Sequence, residues 1–329
     1  MALTVSVAIA TYNRARMVRE AVEAALRQSL EPLEVVVSDD ASTDETPSVL
    51  RELAQRDARV IVLRQQINSG GVANWNCAMR ETHGDLIAWC SDDDQYCEEH
   101  LSASARYLTD HPEVGLVHSG FVDLIETAAC VERQRRPWRS SAPLKVDRNN
   151  LFAYLTRYYD WPFHPSTIVT RREVWEHVGE FDPAFALADT EWFVRVAEAF
   201  PVVWLPRTGV LNRRHGANWS NRVGSARMQR EIFQIVEKAI ERRWPKITLP
   251  RLFWKVVWRA NVRLRLLLTL WARIESGHQD AALAAWETLA RFTGRTMPRM
   301  LARLGSAGIR RLARRGKSAV DARQSVSPL

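Results

Sequence analysis

The chain of 329 residues is long enough to bury a full core and to hold more than one domain. Its hydrophobic fraction of 46% and charged fraction of 26% are ordinary for a globular protein and exclude a disordered or fibrous chain. The net charge of +8 is unevenly placed: residues 251–329 carry 16 Lys and Arg against 4 Asp and Glu, which leaves the rest mildly acidic.

The first hundred residues alternate between two periodicities. Val5–Ala10 reads as a strand, Met17–Gln28 as a helix with Val18, Val22, Ala25 and Leu26 on one face, and Leu33–Ser38 as a second strand. Thr46–Arg56 follows as a helix, Val60–Arg64 as a strand, Val72–Glu81 as a helix and Leu86–Cys90 as a fourth strand. This rhythm with short connections predicts a parallel sheet covered on both faces. No GxGxxG follows the first strand, so a dinucleotide fold is not indicated. Leu101–Asp110 is a further helix and Val114–Ser119 a further strand. From Ile125 to Asn150 the signal weakens, and Arg133–Arg139 with Ser140–Pro143 reads as a long surface loop. Ser166–Thr170 then reads as a strand, Arg172–His177 as a short helix, Asp189–Phe200 as a helix and Val202–Leu205 as a strand. Beyond Ser225 the pattern is helical, with candidates at Ser225–Arg243, Leu252–Ser276, Gln279–Phe292 and Met297–Arg315.

Cys77, Cys90, Cys97 and Cys130 show no CxxC and no metal-type spacing with histidine, so they read as incidental thiols in a reducing compartment. The first apolar run, Leu3–Ala10, is short and leads into a polar loop, so no secretory leader is expected. The best candidate for a membrane span, Leu264–Trp271, is interrupted by Arg265 and falls short of the roughly 18 apolar residues required.

Ser91-Asp92-Asp93-Asp94 follows the fourth strand. In an open α/β sheet that is where ligands bind, and three adjacent carboxylates call for a compensating cation or polar ligand. A divalent metal carrying a diphosphate is one such partner; a solvated turn is the alternative. The other strands also run into polar groups, Thr11-Tyr12-Asn13-Arg14 after the first and Asp39-Asp40-Ala41-Ser42-Thr43-Asp44 after the second. Asn68-Ser69-Gly70-Gly71 opens the third helix. A parallel sheet brings all of these to one edge.

These motifs, with Asn76, Gly84-Asp85, His164, Gly179-Glu180-Phe181-Asp182 and Ala188-Asp189-Thr190-Glu191, occur in the order and spacing of family-2 glycosyltransferases. The resemblance covers about residues 3–220. It implies an α/β GT-A nucleotide-diphospho-sugar transferase fold over residues 1–222, with a basic, helical C-terminal region over 223–329. It also implies an inverting transfer of a sugar from a nucleoside-diphosphate-sugar donor to a hydroxyl of a glycan or lipid-linked acceptor, in bacterial cell-surface polysaccharide synthesis.

Thr11, Tyr12, Asn13, Asp40, Asn76 and Asp92 match the family's donor-binding positions. Asp40 would accept a hydrogen bond from the imide N–H of uracil or thymine, favouring UDP or dTDP; its alternative is a cap for the next helix. Asp93, Asp94 and His215 are the candidate ligands for Mn²⁺ or Mg²⁺, with the share of each Asp in the triplet left open by Ser91. His215 is equally readable as a surface-loop histidine. Arg213 and Arg214 offer charge-assisted bonds to phosphate. Asp189 matches the catalytic base, with a helix N-cap as its alternative. His164 and Trp161 fall on the acceptor side, while Trp192 reads as core and Trp219 as a possible sugar platform.

The tail combines Trp254, Trp258, Trp271 and repeated Leu with Arg259, Arg263, Arg265 and Arg273. It reads as an interfacial helix that would place a cytoplasmic protein at the inner face of an anionic membrane. A helical subdomain packed on the core, or a homodimer contact, is the competing reading, and no motif points to nucleic acid. Two other functions stay open at this level. One is a catalytically silent nucleotide-sugar or glycan-binding module at the membrane; the other is a sugar nucleotidyltransferase, disfavoured because the Gly/Arg-rich phosphate loop expected after the first strand is absent.

Overall fold

The computed structural model describes residues 3–126, 131–135, 141–157, 164–216, 218 and 225–260. The chain divides into two compact units, Met1–Asn218 and Trp219–Leu329.

The first unit is built on β1 (Val5–Thr11), β2 (Glu34–Asp39), β3 (Val60–Arg64) and β4 (Leu86–Trp89), joined by α1 (Ala15–Leu26), α2 (Thr46–Arg56) and α3 (Gly71–Arg80). β1 pairs in parallel with both β2 and β4, and β2 with β3. β1, β2 and β4 are buried along almost their whole length, which explains their unbroken apolar runs: helices cover both faces. In α1 the buried residues Val18, Ala21, Val22 and Ala25 recur at i, i+3, i+4 and i+7, the stripe a surface helix needs. Pro47 falls in the first turn of α2, where its missing N–H costs no helical bond.

The sheet continues through β5 (Gln95–Tyr96), β6 (Leu116–Glu126), β7 (Val131–Arg135), β8 (Leu144–Val146), β9 (Ile168–Arg171) and β10 (Val202–Arg214). The order is β3-β2-β1-β4-β9-β6-β10-β5, with β7 beside β6 and β8 beside β10. β9 is antiparallel to β4 and β6. Because β2 and β4 lie on opposite sides of β1, the strand order reverses there, and the crevice at the carboxyl ends of these strands is the natural ligand site. The remaining helices of this unit are α4 (His100–Asp110), α5 (Leu151–Arg157), α6 (Arg172–Val178) and α7 (Ala188–Ala199), with a 3₁₀ turn at Pro165–Thr167. Val7, Ile9, Val35, Val37, Leu86, Ala88, Leu101, Val117, Val169 and Val203 belong to one continuous apolar core.

The architecture departs from the sequence expectation in its second half. The pattern predicts a strand over Val202–Leu205 only, yet β10 continues through Pro206 and Gly209 to Arg214. Register shifts against β6 fall between Leu205 and Thr208 and between Thr208 and Val210, and such bulges accommodate a proline inside a strand. Gly209 is required by close packing: a Cβ there would lie 2.3 Å from Ser119 Oγ and 2.4 Å from His100 Nδ1. Within the weak stretch from Ile125 to Asn150, β6 reaches Glu126, the start of the loop expected from Arg133 lies in β7, and β8 follows Pro143. Ser166 and Thr167 lie in the 3₁₀ turn, so the strand expected at Ser166 starts at Ile168.

The second unit shows α8 (Ser225–Arg243) and a helix over 249–260. Ile235, Val236, Ala239, Ile240 and Trp258 are buried. Trp258 was expected on the exposed apolar face of the tail; burial places it on the opposite side. The expected helices beyond residue 260 lie outside the described residues.

Candidate active site

The loops that leave β1 and β2 are locked side by side. Asn13 and Ala41 both adopt positive φ, 52° and 59°, a strained conformation for residues with a Cβ and one that concentrates at functional sites. Asn13 N donates to Ser42 Oγ at 2.8 Å, and Asn13 Oδ1 accepts from Thr43 N at 2.8 Å. Asn74 from α3 donates to the carbonyls of Thr11 and Ser38, tying both strand ends to the helix. Asp39 is buried and accepts from Arg64 and from Ser42 N. Asp40 accepts from Ser69 N at 2.7 Å, Ser69 Oγ at 2.9 Å and Gly70 N at 2.9 Å. Its carboxylate therefore anchors the loop that opens α3.

Asp92, Asp93 and Asp94 are all buried, and each is held differently. Asp92 accepts from Thr11 Oγ1 at 2.7 Å and from Arg14 Nη1 at 2.8 Å. The same Arg14 nitrogen lies 2.6 Å from Asp93 Oδ2. That oxygen also faces His215 Nε2 at 3.1 Å and Asn218 Nδ2 at 3.3 Å. Asp94 turns the other way, accepting from Ser166 Oγ at 2.5 Å and from the backbone N–H of Arg213 at 3.0 Å. Burial pushes the carboxyls of Asp92 and Asp94 well above the ordinary range. At Asp92 the Arg14 charge opposes this shift and the Asp93 charge adds to it; at Asp94 the Asp93 charge adds to it. The cluster is thus short of positive charge.

Asp189 stands in the first turn of α7, its Oδ1 accepting from the N–H of Thr190 at 2.7 Å. Burial raises its pKa, opposed by hydrogen bonds at Thr190 and by the nearby His164. His164 connects the two groups of acids. Its Nδ1 is 3.4 Å from Asp94 Oδ2, its ring lies 5.3 Å from that of Phe121, and it feels the charges of Asp93, Asp189 and Asp123. Burial lowers its pKa, so the ring is neutral at physiological pH.

Of the sequence candidates, Thr11, Asp92, Asp93 and His215 come together directly, with Asp94, His164 and Asp189 beside them. Asn76 does not join them: its amide donates to the Phe181 carbonyl and accepts from the Phe181 N–H, both at 3.0 Å. Arg213 is buried, with Nε on the Asp93 carbonyl at 3.1 Å and Nη2 on Glu20, so its guanidinium braces the acidic loop. Tyr12 and Arg214 are exposed. Trp192 is fully buried, in a cluster with Trp89, Trp175 and Phe181. Trp161 and Trp219 lie outside the described residues. Sequence reasoning gave no role to Arg14, Glu20, Ser166 or Asn218. Arg14 was visible inside the first motif; Glu20 and Asn218 carry no local signal.

Among the described residues no three His, Cys, Asp or Glu side chains converge on one point as a closed metal cage. Asp93 and His215 nevertheless supply oxygen and nitrogen ligands at one place, in a cluster deficient in positive charge. Mg²⁺-type sites commonly use one or two carboxylates and complete their shell with substrate phosphates. The residues present fit a cation that arrives with a diphosphate.

A mixed sheet with buried carboxylates at the carboxyl end of β4, strained loops after β1 and β2, and an aspartate at the start of α7 has the layout of a nucleotide-sugar-dependent transferase. The glycosyl transferase family 2 pattern matches residues 6–193, and the chain belongs to that family. It has the GT-A fold of that family. The chain is 31% identical over 218 residues to an uncharacterised protein of Mycobacterium tuberculosis, a match covering 64% of this chain and 58% of that protein. The chain thus spans little more than half the length of that relative. An Escherichia coli UDP-Glc:alpha-D-GlcNAc-diphosphoundecaprenol beta-1,3-glucosyltransferase is 30% identical over 104 residues, 32% of this chain and 41% of its own. Among solved structures, Staphylococcus aureus TarS 1–349 in complex with UDP-GlcNAc superposes with a TM-score of 0.64 at 16% identity, covering 98% of this chain and 92% of its own. The mannosyltransferase PcManGT of Pyrobaculum calidifontis, in complex with GDP-Man and Mn²⁺, superposes with a TM-score of 0.57 at 19% identity, over 99% and 89%.

Proposed function

We propose that the chain transfers a sugar, with inversion, from a nucleoside-diphosphate donor to a hydroxyl of a lipid-linked glycan at a membrane surface. The observation that carries this reading is the shared position of Thr11, Arg14, Asp92, Asp93 and His215 at the carboxyl ends of β1, β4 and β10, with Asp189 close by across His164.

Asp40, whose oxygens also accept from Ser69 and Gly70, would accept from the base imide with a remaining lone pair, which suits UDP or dTDP. Asp93 and His215 would hold a divalent cation, whose chemistry when bound is to neutralise the departing diphosphate. Arg14 adds positive charge to the same place. Asp189 takes the proton from the acceptor hydroxyl; such a base typically contributes about 10²–10⁴-fold in rate. Burial raises its pKa, which strengthens it as a base once ionised. His164, buried beside Asp94 and within the field of Asp189, would orient the acceptor. The lipid-linked acceptor is supported by the E. coli relative, whose own acceptor is a diphosphoundecaprenol, and by the basic C-terminal region.

Calorimetric titration of UDP, dTDP and GDP with and without Mn²⁺, on the wild type and Asp93→Ala, tests the donor half. Metal-dependent binding of one nucleotide, lost in the variant, is expected. Binding indifferent to both metal and substitution would refute the assignment. Asp189→Asn should retain nucleotide binding and lose turnover.

A further inference from the structure

The helix over 249–260 carries an apolar face that the described structure leaves open to solvent. Leu249 is 83% exposed, Leu252 50%, Phe253 58% and Val256 66%, and Ile247 just before them is 77% exposed. Leu249, Leu252, Phe253 and Val256 follow i, i+3, i+4, i+7 and so form one stripe. The opposite side is occupied: Trp258 is buried. Arg251 and Lys255 pair with Glu241 of α8 at 3.3 and 2.7 Å, and Arg259 pairs with Glu237 at 2.7 Å. The helix is therefore fixed against α8 by its polar edge and presents its oily edge outward.

The surroundings are cationic. Residues 225–260 hold nine Lys and Arg against three Glu, and Arg242 and Lys246 are exposed at the end that carries Ile247 and Leu249. The sequence that follows, residues 261–329, holds 13 Lys and Arg against 4 Asp and Glu. No described helix is long and apolar enough to cross a membrane. An exposed apolar stripe flanked by cations is the composition of an element that lies in the interface of an anionic bilayer.

We infer that the face formed by Ile247, Leu249, Leu252, Phe253 and Val256 inserts into the headgroup region of an anionic membrane and sets the enzyme down on the surface that holds its acceptor. The inference deepens the proposed lipid-linked acceptor and rests on it for its purpose. Trp258 is not part of the anchor, since it is buried. Arg251, Lys255 and Arg259 keep the two helices together, while Lys246, exposed beside Ile247 and Leu249, meets lipid phosphate.

Flotation of the full chain with vesicles of phosphatidylcholine containing 30% phosphatidylglycerol, against phosphatidylcholine alone, tests it. The wild type should float with the anionic vesicles, less so at high salt. Phe253→Glu with Val256→Glu should lower partitioning at least tenfold, with unchanged far-UV circular dichroism and unchanged nucleotide binding. Leu249→Ser, a milder change, should give an intermediate loss. A wild type that stays in solution, or a double variant that floats as well as the wild type, would overturn the inference. So would a wild type that is dimeric by light scattering without vesicles and becomes monomeric in the double variant, because a second copy would then be the occupant. Transfer to a short, lipid-free glycan acceptor separates the two claims. Its loss in the wild type strikes the proposed reaction, whereas its retention without vesicle binding strikes only the docking face.

Discussion

Arg14 Nη1 lies 2.6 Å from Asp93 Oδ2, so a guanidinium already stands where a cation would be drawn. The same nitrogen serves Asp92 at 2.8 Å. One positive side chain thus bridges two buried carboxylates at the carboxyl end of β4. A metal that binds Asp93 must share this oxygen or displace Arg14 from it, and a displaced guanidinium is well placed to meet a donor phosphate. Removing it leaves two carboxylates buried without their counter-charge, which typically costs about 3–5 kcal/mol. Arg14→Gln should therefore unfold at lower temperature in chelator, and added Mn²⁺ should recover more stability in the variant than in the wild type. Thermal unfolding of both proteins with and without Mn²⁺ measures this; equal metal-induced shifts would count against a shared place for guanidinium and cation.

The proposed base, Asp189, would act only while ionised. Burial raises its pKa, so it takes up a proton at a higher pH than an ordinary aspartate, whose value is about 3.9. The transfer rate at saturating donor should fall as pH drops through a limb above that value and hold on the alkaline side. Asp189→Asn should lower the rate roughly 10²–10⁴-fold at every pH and leave nucleotide affinity within about twofold. A single-turnover pH profile decides: an acid limb at or below the ordinary aspartate value would mean that another group takes the proton.

The first half of the fold was legible because its signals are local. α2 and β3 fall where the periodicity places them, since short connections and alternating apolar patterns leave one arrangement for a covered parallel sheet. The second half depends on distant contacts. β10 runs past Leu205 through Pro206 and Gly209 because β6 supplies the partner strand that accommodates the bulges. β5 has two residues and exists through its pairing with Val210 and Leu211. The site divides in the same way. Asp92 and Asp93 announced themselves as a run of like charges. Arg213 looked like a phosphate ligand, and only the fold reveals that Glu20, 193 positions earlier, receives its guanidinium. Asn76 looked like a donor-site residue because it lies in the α3 motif, but α3 turns it towards Phe181.

Asp94 pairs with no arginine or lysine side chain in the contacts that hold it. It sits at 1% exposure with a hydroxyl and a backbone N–H as hydrogen-bond donors. An asparagine keeps both contacts, accepting from the Arg213 N–H and donating to Ser166 Oγ, and removes the buried charge. Asp94→Asn should stabilise the metal-free protein, because it removes a group whose ionisation burial disfavours. Its turnover should fall, because the charge balance beside Asp93 and His164 changes. Chemical denaturation in chelator reads the first effect, and a destabilised variant would mean that the carboxylate is compensated by a charge that these contacts do not include.

Arg213 is the joint between β10, α1 and the acidic loop. Its backbone N–H holds Asp94, its Nε holds the Asp93 carbonyl, and its Nη2 meets Glu20, which also accepts from Gln95 Nε2 at 3.0 Å. A lysine reproduces the charge but has one nitrogen head where the guanidinium makes two separate bonds, so it reaches Glu20 or the Asp93 carbonyl and not both. Arg213→Lys should therefore lose about 1–3 kcal/mol through the donor or acceptor left unpaired, and Arg213→Ala should lose more, because it gives up both the Asp93 carbonyl and Glu20, although Glu20 keeps Arg16 Nη1 at 2.9 Å. If the guanidinium instead bound donor phosphate directly, the lysine would keep full stability and weaken nucleotide affinity. The two cases separate in one experiment, urea unfolding beside UDP titration on the same preparation of Arg213→Lys. Bracing of the loop predicts a lower unfolding midpoint, with a nucleotide affinity that recovers as Mn²⁺ is raised and re-forms the loop around Asp93.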